Sequence, residues 1–159
     1  MPKQKGFSLI ELLIVVAIIL IISAIAVPAF IRSKIAANEA SAVASLNAIN
    51  MSESTYNNTY PGTYATLAQL GPGGATCGVS DSTNACLIDN TLANASSAAT
   101  AKSGYYFTIG GDLVMGYTSL AQPADPNTTG TRTFCSDQTM VLFANSTGGA
   151  CTTTTASPL

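Results

Sequence analysis

The sequence predicts an α+β chain, in which one long N-terminal helix packs on an antiparallel sheet of three to four strands. Three observations predict it. Leu12 to Ile31 contains no ionisable residue and only one polar one, Ser23. Arg32 to about Asn57 contains neither Gly nor Pro, and its apolar residues recur at helical spacing. After Gly104, short aromatic and β-branched runs alternate with turn residues. Helix first and strands afterwards is the order of an α+β fold.

The apolar run comes first. At about 20 residues and roughly 30 Å as a helix, Leu12 to Ile31 matches the hydrocarbon thickness of a bilayer. A helix apolar all round belongs in lipid or among helices like itself. Lys5 and Arg32 bound the stretch, and its one charge is Glu11, a turn into the helix. A charged, unpaired carboxylate there costs several kcal/mol, so Glu11 needs a partner. Before it stands a short basic leader, Met1-Pro2-Lys3-Gln4-Lys5-Gly6. A secretory signal would place a cleavage site after its apolar core. Here the apolar run is long enough to span, so a cut that keeps the helix in the product falls at Gly6-Phe7.

These residues carry a family resemblance. Lys5-Gly6-Phe7-Ser8-Leu9-Ile10-Glu11-Leu12-Leu13-Ile14-Val15-Val16-Ala17-Ile18-Ile19 resembles the N-terminus of type IV pilins and the related pseudopilins. The likeness covers roughly the first third of the chain. It rests on a basic leader, Gly-Phe, a glutamate five residues after the glycine and a spanning helix. The rest resembles pilin globular domains in outline only.

The resemblance implies a type IV pilin-like fold and a division of the chain. Residues 1–6 would be a prepilin leader, 7–31 a transmembrane and filament-core helix, and 32–159 an exported globular domain that includes the amphipathic half of the helix. A membrane prepilin peptidase would cut between Gly6 and Phe7, and the new Phe7 amine would be N-methylated. Glu11 would pair with the Phe7 amine of a neighbouring subunit. An α-amino group is cationic below about pH 8, and a cation makes a buried carboxylate tolerable. Pro28 matches the family's helix-kinking proline. Leu20 stands where many type IV pilins carry glycine, which puts local melting of the helix there in doubt. The implied partners are copies of the chain in a helical filament, the peptidase, an assembly platform with minor pilins, and the inner membrane before assembly. The precursor would keep its N-terminus in the cytoplasm, and the product would lie in an extracellular pilus.

Beyond Arg32 the helix becomes amphipathic. Ile35, Ala42, Val43, Leu46 and Ile49 form an apolar stripe, and Glu39, Ser41, Ser45, Asn47 and Glu53 are read onto the opposite, solvent face. Pro28 is expected to bend the helix. Asn57-Asn58-Thr59-Tyr60-Pro61-Gly62 ends it. Thr63 is then read as the cap of a short helix, Tyr64 to Leu70. Gly71-Pro72-Gly73-Gly74 is a break, and residues 75–103 read as mostly loop. A hairpin follows, Tyr105 to Ile109 and Leu113 to Leu120 around Gly110-Gly111-Asp112. A second pairs Thr131 to Cys135 with Thr139 to Ala144. Asn145 to Leu159 reads as a polar tail.

Cys77, Cys86, Cys135 and Cys151 lie beyond the span from Lys3 and Lys5. An even count in a loop-rich exported domain suggests disulfides. Three connectivities are open. Cys77–Cys86 and Cys135–Cys151 are favoured because both close local loops, each stabilising by about 2–3 kcal/mol.

Composition limits the function classes. The chain has no histidine, which excludes Ser-His and Cys-His nucleophile pairs. It has no Cys-x-x-Cys pair either, so neither zinc nor any other cofactor is expected. Asp81, Asp89, Asp112, Asp125 and Asp137 are scattered in turn contexts, where Asp satisfies local backbone. Six Lys and Arg against eight Asp and Glu give a net charge of −2 and no basic stripe for nucleic acid. Tyr56, Tyr60 and Tyr64 repeat every four residues across the helix end, read as packing.

The resulting expectation is a non-enzymatic pilus subunit serving adhesion, motility or DNA uptake. Two rival readings stand beside it. One is a pseudopilin of a type II secretion system, and the other is a membrane-anchored periplasmic binding or enzymatic domain.

Overall fold

The computed structural model describes residues 6–152 and 156–159, so the leader residues before Gly6 lie outside it. The chain forms two compact units, one through Lys34 and one from Ile35 to Leu159, here called the globular unit. Helix α1 runs Leu9–Thr59, 51 residues, and is unbroken through Pro28. Its length follows from composition: no glycine occurs between Gly6 and Gly62. It ends two residues later than expected, where Pro61 and Gly62, at φ 94°, turn the chain away.

In the first unit nothing covers the helix. The apolar side chains from Leu9 to Ile31 are exposed, and none of the window that qualifies as a membrane span is buried.

In the globular unit, the rest of α1 packs on a five-stranded antiparallel sheet of order β1-β2-β3-β4-β5. The strands are β1 Tyr105–Gly110, β2 Thr118–Pro123, β3 Thr133–Asp137, β4 Phe143–Asn145 and β5 Ser157–Pro158. Ala42, Leu46, Ile49 and Tyr56 of α1 share one core with Tyr105, Phe107, Ala121 and Phe134 of the sheet. Leu70 of helix α2 (Leu67–Leu70) and Leu92 of helix α3 (Asn90–Ala93) close that core at its side.

The α+β class and the antiparallel sheet agree with the sequence reading; the strand count and several boundaries do not. A fifth strand, of only two residues, pairs the end of the chain to β4. It is too short for periodicity to reveal.

The short helix starts at Leu67, capped by Thr66 and Gln69, and not at Tyr64. The reason is that the amides of Tyr64 and Ala65 are taken elsewhere, by the Leu113 carbonyl and the Glu53 carboxylate. β2 begins at Thr118, because the Asp112 side chain and carbonyl fold the following residues into a turn. β3 begins at Thr133, because the amides of Thr131 and Arg132 donate to Glu39. β4 loses Thr139 to Leu142 to a turn on Asp137 with Met140 at φ 61°. Within 75–103, Asp89 caps α3 through the Leu92 amide, and Ala98–Thr100 forms a 3-10 turn.

Candidate functional site

The two ends of α1 carry different polar chemistry. At the N-terminal end Gly6 and Phe7 are exposed ahead of the first turn, Phe7 at 75%. The Ser8 carbonyl accepts the Leu12 amide at 3.2 Å. The Ser8 amide donates to Glu11 Oε2 at 2.9 Å. Glu11 thus answers one of the four amides that a helix start leaves unpaired, in the reach-back geometry of a capping box. Around it every large side chain from Leu9 to Ile22 is exposed. Pro28 lies exposed within the helix, where it has no amide to give to the preceding turn.

Further along α1, polar residues expected on the solvent face are buried. Glu39, Ser45 and Glu53 are buried with Asn50 and Ser52: Asn50 meets the sheet, Glu39 the residues leading into β3, Ser45 the Lys102 amine, Ser52 the Leu87 carbonyl and Glu53 the Ala65 amide. This corrects the sequence reading. Glu39, Ala42, Leu46, Ile49, Glu53 and Tyr56 are spaced alternately by three and four, the signature of one helix face. That phase was present in the sequence, but the charge on the glutamates pointed the reading to solvent.

These buried groups are held by hydrogen bonds of unequal quality. Glu39 Oε1 accepts from the Thr131 amide and hydroxyl and from the Arg132 amide, at 2.8–3.2 Å. Its Oε2 meets the Arg132 guanidinium at 2.8 Å from both Nε and an Nη. Burial alone would push this carboxyl up, but the bonds from Thr131 and Arg132 outweigh it and hold it below its ordinary value. Asn50 bridges three strand-side hydroxyls: its amide donates to Ser136 Oγ at 2.8 Å, and its carbonyl accepts from Tyr117 and Ser119. Glu53 accepts a single bond, from the Ala65 amide at 2.9 Å. Burial raises its carboxyl to about 7, with that one bond opposing.

Two disulfides fasten the loops. Cys77–Cys86 closes a loop in the connection between α2 and α3, and Cys135–Cys151 ties the end of the chain to β3. Thr133 adds a hydrogen bond to the Gly149 carbonyl beside the second. Among the described residues no group of three or more His, Cys, Asp or Glu side chains could hold a metal ion. The tyrosines at the helix end pack in pairs, Tyr56 with Tyr60 at 4.9 Å and Tyr64 with Tyr117 at 5.0 Å between ring centroids.

A bare apolar helix with a carboxylate in its first turn, behind an exposed Gly-Phe junction, is matched by one family model. Its description is "Prokaryotic N-terminal methylation motif", over residues 1–27. The chain carries that motif. Curated relatives extend the likeness. A stretch of 74 residues, 45% of the chain, is 40% identical to the type IV wide pilus major component PilA4 of Thermus thermophilus. Another of 55 residues, 35% of the chain, is 42% identical to the type IV major pilin protein PilA of Myxococcus xanthus. The matched stretches span 56% and 25% of those relatives. No solved structure matches significantly. The methylation motif therefore covers the Gly6-Phe7 junction, Glu11 and most of the uncovered apolar helix.

Proposed function

We propose that this chain is a prepilin whose product is the structural subunit of a type IV pilus. The observation that carries the reading is the uncovered apolar stretch of α1 with Glu11 at its start, inside a methylation motif. The similarity to two major pilins supports the pilus over other filaments.

The leader, residues 1–6, is removed at Gly6-Phe7 by a prepilin peptidase, and the Phe7 amine is methylated. Residues 7–31 anchor the precursor in the inner membrane, and residues 32–159 form the exported domain. On assembly the same apolar surface exchanges lipid for neighbouring helices. Lipid tails are as apolar as the helices, so burial alone gives such helices no register. The Glu11 carboxylate supplies it. Cleavage creates a cationic amine at Phe7, and Glu11 gives up its contact with the Ser8 amide to meet the amine of another subunit. An assembly platform and minor pilins complete the set of partners.

The test is N-terminal sequencing and intact mass of the protein in sheared cell-surface material. A product beginning at methylated Phe7, abundant in that fraction, is expected. A chain that still begins at Met1 and stays in membranes would replace this reading with that of an anchored domain.

A further inference from the structure

The filament reading makes no use of Glu53. Its residue is 0% exposed, yet it sits on a helix that has solvent on its other side. One carboxylate oxygen accepts the Ala65 amide, and the other is buried with no hydrogen-bond partner. An ionised carboxylate in that position is strongly disfavoured unless a cation or further donors meet it.

Among the described residues no cation acts on its carboxyl: burial and the Ala65 bond alone set it. Tyr56 on α1 and Tyr117 ahead of β2 feel its charge. Around those two stand Tyr60 and Tyr64 after the helix, Asp81 in the Cys77–Cys86 loop and Asp137 at the end of β3. None of these side chains can carry a positive charge. The ion pair found among the described residues, Glu39 with Arg132, is fourteen residues back along α1.

What Glu53 holds is a chain of contacts. The Ala65 amide ties the helix to the segment leading into α2. In that segment Tyr64 donates its amide to the Leu113 carbonyl at 2.7 Å and packs its ring, tilted, against Tyr117. Leu113 begins the loop that carries the exposed Val114 and Met115. Glu53, with the Asn57 side chain on the Thr63 carbonyl, thus ties α1 to a segment on which the 111–117 loop in turn rests.

We infer that Glu53 is a proton-dependent latch: the neutral acid holds residues 63–65 against α1, and its ionisation releases that segment and the 111–117 loop tied to it. Burial and the orphaned oxygen favour the neutral form, and they outweigh the single bond from Ala65, which favours the charged one. The raised carboxyl, at about 7, places the change near neutral pH. The inference stands whether or not the chain forms filaments.

Amide hydrogen exchange on the full chain in detergent micelles tests it, with rates corrected for intrinsic pH dependence. Between pH 5 and pH 8, protection of residues 60–66 and 111–117 should fall on the order of a hundredfold in the wild type. Glu53→Gln keeps an acceptor for the Ala65 amide and cannot ionise, so its protection should stay high at both pH values. Flat protection in the wild type, or a parallel fall in the variant, overturns the latch. A direct titration of the Glu53 carboxyl carbon by NMR in the wild type needs no variant. A midpoint near 7 supports the latch, and one near the ordinary glutamate value overturns it.

Discussion

The two halves of α1 invert the usual rule. Between Leu12 and Ile31 the helix has no ionisable residue, and its apolar side chains stand exposed. Between Glu39 and Tyr56 it buries two glutamates, two serines and an asparagine. The difference teaches what each half is for. An apolar surface left bare is unfinished and requires another medium, either lipid or a second helix. A polar surface that is buried has found its partners within the chain, and each hydrogen bond there fixes the helix against one particular segment. Glu11 belongs to the first case and Glu39 to the second. Glu53 lies between, buried but half satisfied.

The sharpest way to break the contrast is at Glu11. Glu11→Ala should leave a chain that is inserted and cleaved, while sheared filament yield falls by at least tenfold. That scale follows from losing a desolvated ion pair. Wild-type yield and filament order would remove Glu11 from assembly.

The second test sets one leucine from each half side by side. Leu46 is fully buried in the core, and Leu20 is exposed. Leu46→Ala should cost the globular unit about 2–5 kcal/mol in denaturant unfolding. Leu20→Ala should leave the same transition within about 0.5 kcal/mol. Equal effects would mean that the two halves are not energetically separate.

Third, Glu39→Ala removes the acceptor for two backbone amides and a guanidinium. It should destabilise the globular unit by about 2–4 kcal/mol. Thr131 and Arg132 should become the first protected amides to exchange. Arg132→Ala should cost less, because the arginine side chain is 41% exposed while that of Glu39 is 7% exposed.

The smallest effect is the pH dependence, where the two buried glutamates act in opposite directions. The folded value of Glu39 lies below its ordinary 4.5. Its contribution is therefore present above that pH and lost as pH falls through the lower folded value. Glu53 is raised from 4.5 to about 7. Its contribution is present below 4.5 and declines as pH rises through 7, by up to about 3 kcal/mol. Unfolding of the globular unit should therefore be most favourable at the two extremes, and Glu53→Gln should remove the loss on the alkaline side alone.

Much of the first half was legible because nothing inside the chain competes there. Hydropathy and length mark an apolar helix residue by residue, whereas the roles expected of Gly6, Phe7 and Glu11 come from the family resemblance. In the globular unit the periodicity of α1 located Ala42, Leu46 and Ile49 correctly. It misplaced Glu39, Ser45 and Glu53, because a charged or hydroxyl side chain in a sequence argues for solvent until a partner is known. Those partners, Thr131, Arg132 and Ala65, lie from 12 to 93 residues away. The same distant bonds moved the starts of α2 and β3. The two-residue β5 carried no local signal at all.

The sequence by itself determined the long helix, its uncovered apolar half, the α+β order and the four cysteines. Each follows from composition or from spacing within a few residues. Only the tertiary structure decided which polar groups are buried, where the short elements begin and how Ser157 and Pro158 join the sheet. Those outcomes depend on which amide or carboxylate arrives opposite which residue, and contacts between distant parts of the chain leave no local pattern to read.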